Sequence, residues 1–337
     1  MRLIWVGVLA VLAGNTYSAK LVNGAGATFP YPLYSKWFAE YQKIAPEANF
    51  NYQSIGSGGG IRQFSEKTID FGASDAPMTD EQMTKAGAPV VHVPTVLGAV
   101  VVTFNVAGVA ALKLTPEIVA GIYLGAIKRW EDAKIARLNP GLTHKGDIVV
   151  VHRSDGSGTS AIFTDYLSKV SADWKSKVGA GTAVNWPAGL GGKGNEGVSG
   201  LVKQTPGSIG YVELIYARSN GLSVASIKNR AGAFVEASEE SVTAAAAAAL
   251  KSMPADFRVS ITDALGKGAY PISGFTYLLV WKDMSGSDKG DEIVRFLRWA
   301  VRDGQKLAAP LHYAPLPTGL VGRVESRIAE IQVKKLN

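Results

Sequence analysis

The sequence predicts an α/β protein built from two lobes. Short apolar runs that suit strands alternate with segments whose apolar residues recur at helical spacing, and this alternation is typical of α/β layers. Two long extended segments, near residues 92–105 and 270–281, are the natural crossings between the lobes, which makes the first lobe discontinuous. The length of 337 residues, of which 47% are hydrophobic, is enough to bury a large core in two domains.

Residues 1–19 have the composition of a secretory signal peptide. Arg2 is followed by an apolar run, residues 3–12, that is too short to span a bilayer. We expect cleavage after Ala19, although Tyr17 stands where a small residue is usual. The chain has no cysteine, which excludes disulfides, thiolate metal sites, a catalytic cysteine and a lipid anchor on an N-terminal cysteine. These features predict a periplasmic protein without a lipid anchor.

The charge of the chain favours small anions over nucleic acid as ligands. Loss of residues 1–19 removes one charge, that of Arg2, so the formal net charge falls from +7 to +6. A modest positive excess raises the local concentration of anions. The sequence has no basic block with interleaved aromatic residues, so we expect no nucleic-acid partner. The four histidines show no metal-ligand spacing, and we expect neither a metal nor a cofactor.

A strand, a glycine-rich turn and a helix begin the mature chain. Leu21 and Val22 form the short apolar run, and residues 24–32 form the turn, which includes Thr28. The dinucleotide-binding pattern G-x-G-x-x-G fails here because Phe29 stands at the third glycine position. The next apolar residues are spaced i, i+3, i+4 and i+7, as on the buried face of a helix: Tyr34, Trp37, Phe38 and Tyr41.

Two further turns place polar groups at predicted helix starts. Residues 49–53 alternate like a strand, and the glycine-rich residues 54–60 lead into a helix near Ile61. Hydroxyl and backbone N–H groups therefore collect at that helix start, as they do in anion sites. A short strand then leads to Asp75, which by itself is interpreted as a cap for the helix that begins near Thr79.

The remaining elements follow from periodicity and from capping residues. Residues 90–105 are nearly continuous strand, and residues 115–137 are predicted as a helix because they open on a threonine, a proline and an acid. The glycine-dense residues 185–197 are predicted as a long loop. Two later helices are predicted over residues 239–250, which are rich in alanine, and over the basic residues 319–334.

The heptapeptide of residues 153–159 is the centre of the predicted binding site. It follows a buried strand, residues 148–151, and precedes a helical pattern that starts at Ile162. Its glycines allow close approach of the backbone, its hydroxyls and the first helical N–H groups face the turn, and Arg153 adds a fork of donors that Asp155 can hold in place. Such a turn suits an anion, but an ordinary N-cap beside a surface ion pair explains the same residues. Both interpretations stay open on this turn alone.

With these motifs in view, the chain resembles the PstS family of periplasmic phosphate-binding proteins, which serve bacterial ABC phosphate transporters. The resemblance covers nearly all of the mature chain. The family has the two-lobe, type II periplasmic binding-protein fold, with two crossing hinge strands and the ligand in the interlobe cleft. This implies one lobe from residues 20–98 and 272–337 and a second lobe from residues 99–271. Five segments in order carry the resemblance: GAGATFP (24–30), IGSGGG (55–60), DFGASDAP (70–77), RSDGSGT (153–159) and GGKGNEG (191–197).

The resemblance also implies a set of contacts to one bound phosphate. Phe29 and Gly158 would act through their backbone N–H groups, and the serine and threonine hydroxyls would act as donors. Asp155 would orient Arg153. The implied contact residues are Thr28, Phe29, Ser57, Asp75, Arg153, Ser157, Gly158 and Thr159.

A carboxylate at position 75 would make such a site selective for protonated anions. A carboxylate repels a polyanion unless it accepts a proton that the ligand holds. Asp75 would therefore favour a protonated oxyanion and penalise sulfate, which has no proton to donate. On the resemblance, Asp75 is a selectivity residue rather than a helix cap.

The implied function is high-affinity binding of inorganic phosphate by a monomer, which delivers it to the membrane permease and ATPase subunits of an ABC importer. The alternatives are a binding protein for another oxyanion, which Asp75 disfavours for sulfate and molybdate, and an adhesion protein, for which the sequence shows no exposed apolar or repeat surface. A secreted phosphate-ester hydrolase would need Ser157, His152 and Asp155 to converge. Neighbouring residues at a strand end cannot do so, and the G-x-S-x-G pattern fails. We therefore expect no enzymatic activity.

Overall fold

A long mixed β-sheet organises the structure. The computed structural model describes residues 20–334, so the predicted signal peptide and its cleavage site lie outside the described residues. The strands are, in chain order, β1 Lys20–Gly26, β2 Ala48–Ser54, β3 Phe71–Ser74, β4 Val90–Asn105, β5 Lys113–Leu114, β6 Val149–Arg153, β7 Leu190–Gly192, β8 Ser208–Glu213, β9 Ser223–Val224, β10 Ser226–Lys228, β11 Phe234–Val235, β12 Ser273–Trp281, β13 Asp283–Met284 and β14 Gln332–Val333.

The two long extended segments of the sequence are β4 and β12, which pair with each other in the middle of this sheet. The strand order is β2-β1-β3-β12-β4-β8-β6-β7, and β9 also pairs with β4. β12 is antiparallel to β3 and β4, whereas β1 is parallel to β2 and β3, and β6 is parallel to β7 and β8. Residues 90–99 of β4 pair with β12 and residues 100–105 pair with β8, so β4 runs through both halves of the sheet. The exact lobe boundaries stay a prediction.

Helices follow most of the long strands, and several pack directly on the sheet, α2 against β1 and β3 and α8 against β6 and β8. Three short 3-10 helices, Leu250–Ser252, Asp303–Leu307 and Ala309–Leu311, complete the helical elements of residues 20–334. The α-helices are α1 Tyr31–Ile44, α2 Ser57–Ser65, α3 Asp80–Ala86, α4 Pro116–Tyr123, α5 Ala133–Leu138, α6 Gly158–Val170, α7 Ala172–Lys177, α8 Gly194–Gln204, α9 Leu214–Ser219, α10 Glu239–Ala249, α11 Gly290–Ala300 and α12 Thr318–Ala329.

The aromatic stripe of α1 lies in the core, as its helical spacing predicts. Tyr34, Trp37, Phe38 and Tyr41 are all buried. The Phe38 ring packs against Phe296 of α11, with ring centroids 5.1 Å apart. Burial of large rings dominates local packing energy, so this stripe holds α1, and the glycine-rich turn before it, against the sheet.

The single helix predicted over residues 115–137 is wrong, because the structure has two helices there with an irregular segment between them. Its start is correct, since α4 begins directly after its threonine cap. The chain then leaves the helix because Gly125 adopts a left-handed φ of 70° and Trp130 makes long-range hydrogen bonds. The backbone N–H of Trp130 donates to the Gly146 oxygen (3.0 Å), and its indole N–H donates to the Gly207 oxygen (2.9 Å). These tertiary bonds outweigh local helix propensity, so α5 is a separate helix.

The glycine-dense residues 185–197 are not one long loop, contrary to the prediction. They contain strand β7 and the first turn of α8. β7 pairs in parallel with β6, with Gly191 opposite His152 and Gly192 opposite Arg153. A methyl group at Gly192 would lie 2.7 Å from the backbone of α8, so glycine here permits close packing of strand and helix rather than a flexible loop.

The C-terminal helix is shorter than the predicted residues 319–334. α12 ends at Ala329, and the chain continues into β14, which pairs in parallel with β13. The alanine-rich helix is confirmed as α10. None of the helices within residues 20–334 has the length and apolar character needed to cross a membrane.

Candidate functional site

Two glycine-rich turns that are distant in sequence meet at the starts of α2 and α6. The Gly58 N–H donates a hydrogen bond to the Gly156 oxygen (2.8 Å). A methyl group built on Gly158 would lie 2.4 Å from Ser57 Oγ and 2.5 Å from Asp75 Oδ2, so the backbone at Gly158 contacts both residues. The structure therefore brings the heptapeptide 153–159 to Ser57 and Asp75.

The site residues named from the sequence are all buried. Gly158 is among the buried residues at the start of α6. Electrostatic interactions and hydrogen bonds at a buried site are stronger than on an exposed surface, because water does not screen them. The exposed fraction is at most 4% for each of the others: Thr28, Phe29, Ser57, Asp75, Arg153, Ser157 and Thr159.

Arg153 is held in one orientation by Asp155. Its Nε and Nη2 donate to Oδ1 (2.8 Å) and Oδ2 (2.6 Å) of Asp155, and its Nη1 donates to Thr159 Oγ1 (3.3 Å). A guanidinium carries about five N–H groups in a rigid plane, so about two remain for other acceptors. The bidentate face of the fork thus belongs to Asp155, and another anion would meet the Nη1 and Nη2 edge.

The Asp155 carboxylate is stabilised in its ionised form. Burial opposes ionisation, but the hydrogen bonds and charge of Arg153 and a hydrogen bond donated by the Gly194 N–H (3.0 Å) outweigh it, so the pKa of Asp155 lies below its usual value. The ion pair therefore persists at neutral pH, and Arg153 keeps its position.

Asp75 has one carboxylate oxygen with a partner and one without. Oδ1 accepts a hydrogen bond from the hydroxyl of Thr276 on β12 (2.8 Å), and the backbone N–H of Asp75 donates to Ser57 Oγ (3.2 Å). Oδ2 is buried and has no hydrogen-bond partner among residues 20–334. Burial raises the pKa of Asp75 to about 7, although Thr276, the Arg153 charge and Ser57 act in the opposite direction. Near neutral pH this carboxyl group can therefore either hold a proton or accept one.

The interpretation of Asp75 as a cap for α3 is wrong. The N-cap of α3 is Thr79, whose Oγ1 accepts a hydrogen bond from the Gln82 N–H (3.2 Å). The Gln82 side chain in turn accepts a hydrogen bond from the Thr79 N–H (2.9 Å), which completes a capping box. The local sequence after Asp75 already caps this helix, so the Asp75 carboxylate is not needed there.

The raised pKa of Asp75 predicts a pH dependence of stability. The folded protein holds this proton more tightly than the unfolded chain, whose ordinary carboxyl pKa is 3.8, so the stabilisation is complete below about pH 4 and is lost as the pH rises through about 7. Between about pH 5 and pH 8 the ligand-free protein should lose on the order of 2 kcal/mol through this group. Thermal unfolding in phosphate-free buffer should show a flatter pH profile for Asp75→Asn, and parallel profiles would contradict the assignment.

Ser157 is the N-cap of α6, as the plainer interpretation of the heptapeptide predicts. Its Oγ accepts a hydrogen bond from the Ser160 N–H (3.0 Å), and its own N–H donates to the Thr182 oxygen (2.7 Å). A hydroxyl that accepts this bond still has its own hydrogen to donate. Capping and contact with an anion are therefore compatible at Ser157.

Phe29 is fixed by contacts on both its ring and its backbone. A methyl group at Gly98 of β4 would lie 2.5 Å from the Phe29 ring, and the Phe29 carbonyl accepts a hydrogen bond from the Tyr313 hydroxyl (2.6 Å). These contacts hold the peptide group of Phe29 beside Thr28. Its contact to a ligand through the backbone N–H stays a prediction.

Sequence reasoning missed Asn195, the second residue of α8. Its Nδ2 donates to Thr28 Oγ1 (2.7 Å) and to Thr159 Oγ1 (3.1 Å), and it is fully buried. Asn195 lies in the glycine-dense segment whose composition predicts a loop, and a loop asparagine is expected to be exposed. The signal that could have found it is its place in the motif 191–197, which carries the resemblance.

No hydrogen bond joins the three groups that a hydrolase would need, Ser157, His152 and Asp155. The His152 ring stacks on Trp186, with centroids 4.9 Å apart, and its Nδ1 hydrogen-bonds the Arg153 backbone oxygen (3.0 Å). Asp155 is occupied by Arg153, and Ser157 caps α6. Within residues 20–334, no three histidine, cysteine, aspartate or glutamate side chains are grouped so that they could hold a metal ion.

The chain is similar to known phosphate-binding proteins over most of its length. A family model described as the PBP superfamily domain matches residues 13–303. The phosphate-binding protein PstS of Xylella fastidiosa is 48% identical over 318 residues, which are 93% of this chain and 86% of that protein. The phosphate-binding protein PstS of Haemophilus influenzae is 44% identical over 312 residues, which are 92% of each chain.

Solved structures bear on the fold. A phosphate-binding protein from Stenotrophomonas maltophilia has a TM-score of 0.70 at 21% identity and covers 91% of this chain and 94% of its own. A high-affinity periplasmic phosphate-binding protein bound with phosphate has a TM-score of 0.71 at 22% identity and covers 94% of this chain and 100% of its own. These likenesses confirm the predicted periplasmic binding-protein fold. Because relatives with 44% and 48% identity match more than nine-tenths of the chain, the protein belongs to the PstS family of phosphate-binding proteins.

Proposed function

We propose that this protein binds inorganic phosphate in the periplasm and delivers it to an ABC phosphate importer. The observation that carries the proposal is a buried group of hydroxyl, guanidinium and N–H donors around one carboxylate oxygen, Asp75 Oδ2, which has no partner among residues 20–334. The names of the PstS relatives, which are phosphate-binding proteins, support the same function.

The donors and the unpartnered Asp75 oxygen match the groups of monohydrogen phosphate. Its unprotonated oxygens accept hydrogen bonds from hydroxyls, from N–H groups at the starts of α2 and α6 and from the Nη1 and Nη2 edge of Arg153, while its one proton is donated to Asp75 Oδ2. Asp155 orients Arg153. The proposed contacts are those of Thr28, Phe29, Ser57, Asp75, Arg153, Ser157, Gly158 and Thr159.

Calorimetric titration of the phosphate-stripped protein with phosphate, arsenate and sulfate tests this function. The titration is run above the Asp75 pKa of about 7, where this carboxylate is ionised. Phosphate and arsenate still carry one proton there and should bind, whereas sulfate should bind far more weakly because it offers Asp75 no proton. Equal affinity for sulfate and phosphate would contradict the role of Asp75. If none of the three anions gave a binding heat or displaced another, anion binding as a whole would be contradicted.

Asp75→Asn should change selectivity more than it changes phosphate affinity. Thr276 donates to Oδ1 in the wild type (2.8 Å), so the amide nitrogen of the variant would take the place of Oδ2 and donate to the anion. Sulfate then no longer meets a buried lone pair, a contact that costs at least ~1–3 kcal/mol. Competition titration at fixed pH and ionic strength should show that the ratio of phosphate affinity to sulfate affinity falls by about tenfold or more.

The matched control for this variant is Asp80→Asn. Asp80 lies five positions along the chain, its side chain is 85% exposed and it pairs with Arg258, so its loss removes the same charge from the surface. The control should keep the wild-type selectivity. If both variants left the ratio unchanged, selectivity would have to come from another group of the site.

We propose no catalysed reaction for this protein. We infer that it is a monomer that is exported by the signal peptide of residues 1–19 and docks on the membrane permease and ATPase subunits of the importer. The absence of basic blocks in the sequence supports small anions over nucleic acid as ligands. A chromogenic phosphate ester should give no turnover, and size-exclusion chromatography should give the mass of one chain.

A further inference from the structure

We propose that Asn195 is a positioning residue that makes the hydroxyls of Thr28 and Thr159 act only as hydrogen-bond donors toward the bound anion. The inference rests on the proposed phosphate binding. Asn195 lies at the start of α8 and has no predicted contact with the ligand.

The orientation of the Asn195 amide is fixed by a backbone group. The Glu213 N–H donates a hydrogen bond to Asn195 Oδ1 (2.9 Å), and a backbone N–H can only donate. Glu213 ends β8 and is paired in register with Val100 of β4, so this donor is held by the central sheet. Asn195 is fully buried, and its NH₂ group therefore stays on the side that faces the two threonines.

The two hydrogens of this NH₂ group meet two hydroxyl oxygens. Nδ2 is 2.7 Å from Thr28 Oγ1 and 3.1 Å from Thr159 Oγ1. Each hydroxyl also accepts a second hydrogen bond. Thr28 Oγ1 accepts from the backbone N–H of Asn195 (3.2 Å), and Thr159 Oγ1 accepts from Nη1 of Arg153 (3.3 Å).

The balance of donors and acceptors then decides what these hydroxyls can do. A hydroxyl has two lone pairs and one hydrogen, and in both threonines the lone pairs are taken by N–H donors that cannot accept a hydrogen in return. Only the O–H hydrogen is left, so each hydroxyl can only donate to a further group. For an anion rich in lone pairs this is the favourable orientation, and it holds at both threonines once the two sides of the site have met.

The same amide also joins segments from different parts of the sheet. Thr28 follows β1 at residues 20–26, whereas Thr159 lies on α6, which follows β6. The bonds from Asn195 thus link the two sides of the site, one that carries Thr28 and one that carries Thr159. Loss of the amide should release both hydroxyls together, which distinguishes it from loss of either threonine.

The direct test is titration of Asn195→Ala and Asn195→Asp with inorganic phosphate. Asn195→Ala should weaken phosphate binding on the order of 10- to 100-fold, because two donors lose their orientation. Asn195→Asp keeps the shape but cannot donate, so both hydroxyls would turn their hydrogens toward the new carboxylate, and the loss should be larger. Wild-type affinity in either variant would overturn the proposal.

A double-mutant cycle separates positioning from a general structural role. In a Thr28→Val, Thr159→Val background the hydroxyls are absent, so adding Asn195→Ala should change phosphate affinity by less than about threefold. A structural role predicts the same loss in both backgrounds, and that result would overturn the proposal. If Asn195→Ala does not fold, the cycle is run with Asn195→Asp, which keeps the volume of the side chain.

The control is Asn229→Ala. Asn229 is also buried, and its side chain makes five hydrogen bonds to backbone groups, but none of them involves the site. This variant should unfold at a lower temperature and keep wild-type phosphate affinity. Failure of the wild type to bind phosphate would contradict the proposed function, whereas binding by the wild type with equal losses in both backgrounds would contradict only the role of Asn195.

Discussion

Arg153→Ala should lower phosphate affinity by about 2–5 kcal/mol, the range found when one member of a buried charge pair is removed. The variant loses the positive charge and the N–H groups on the Nη1 and Nη2 edge. It also leaves the buried Asp155 carboxylate without its partner, since Arg153 Nε and Nη2 donate to it at 2.8 and 2.6 Å. Isothermal titration with phosphate at fixed ionic strength measures the loss.

Arg153→Lys should recover only part of this affinity. An ammonium group is a point charge and cannot donate to both oxygens of Asp155 and to an anion in one plane. Arg129→Ala is the matched control, because its side chain is 56% exposed and its loss removes one charge from the surface. The control should bind like the wild type. Wild-type affinity in Arg153→Lys would contradict the role of the planar fork.

Gly158→Ala should weaken phosphate binding strongly by preventing contact between the two sides of the site. The new Cβ would lie 2.4 Å from Ser57 Oγ, 2.5 Å from Asp75 Oδ2 and 2.7 Å from Asp75 Cβ, far inside the separation of non-bonded atoms. Overpacking of this kind costs about 1–3 kcal/mol in a core, and here it acts against the arrangement that encloses the anion. Alanine suits the first turn of α6, so each side should fold as before.

Small-angle scattering and titration together measure this effect. The wild type should become more compact when phosphate is added, whereas Gly158→Ala should keep the radius of gyration of the ligand-free protein and bind weakly. Gly200→Ala in α8 is the control, because a methyl group at this position would have no neighbouring atom of residues 20–334 within 4 Å beyond its own helix turn, and it should behave like the wild type. Normal affinity and compaction in Gly158→Ala would show that the contact at Gly158 is not required.

Local patterns in the sequence are sufficient for the elements that depend on near neighbours. The cap of α4, the buried stripe of α1 and the strand before the heptapeptide involve residues a few positions apart, and all three are present in the structure. The same reasoning failed over residues 115–137 and 185–197. There, hydrogen bonds of Trp130 and pairing of β7 with β6 join distant segments. The composition of a segment does not show which distant segment it will contact.

The sequence by itself determined the α/β class, the turns that bear the polar groups and the resemblance that names their ligand. Only the tertiary structure decided how those groups are paired. Thr276 meets Asp75 across 201 residues, and Asn195 meets Thr28 across 167 residues. Such bonds depend on the register of β4, β8 and β12, which follows from packing of the whole sheet. Which hydroxyl hydrogens and which carboxylate oxygen remain for the anion is therefore a property of the fold, because each acceptor is filled or left open by a partner far away in the chain.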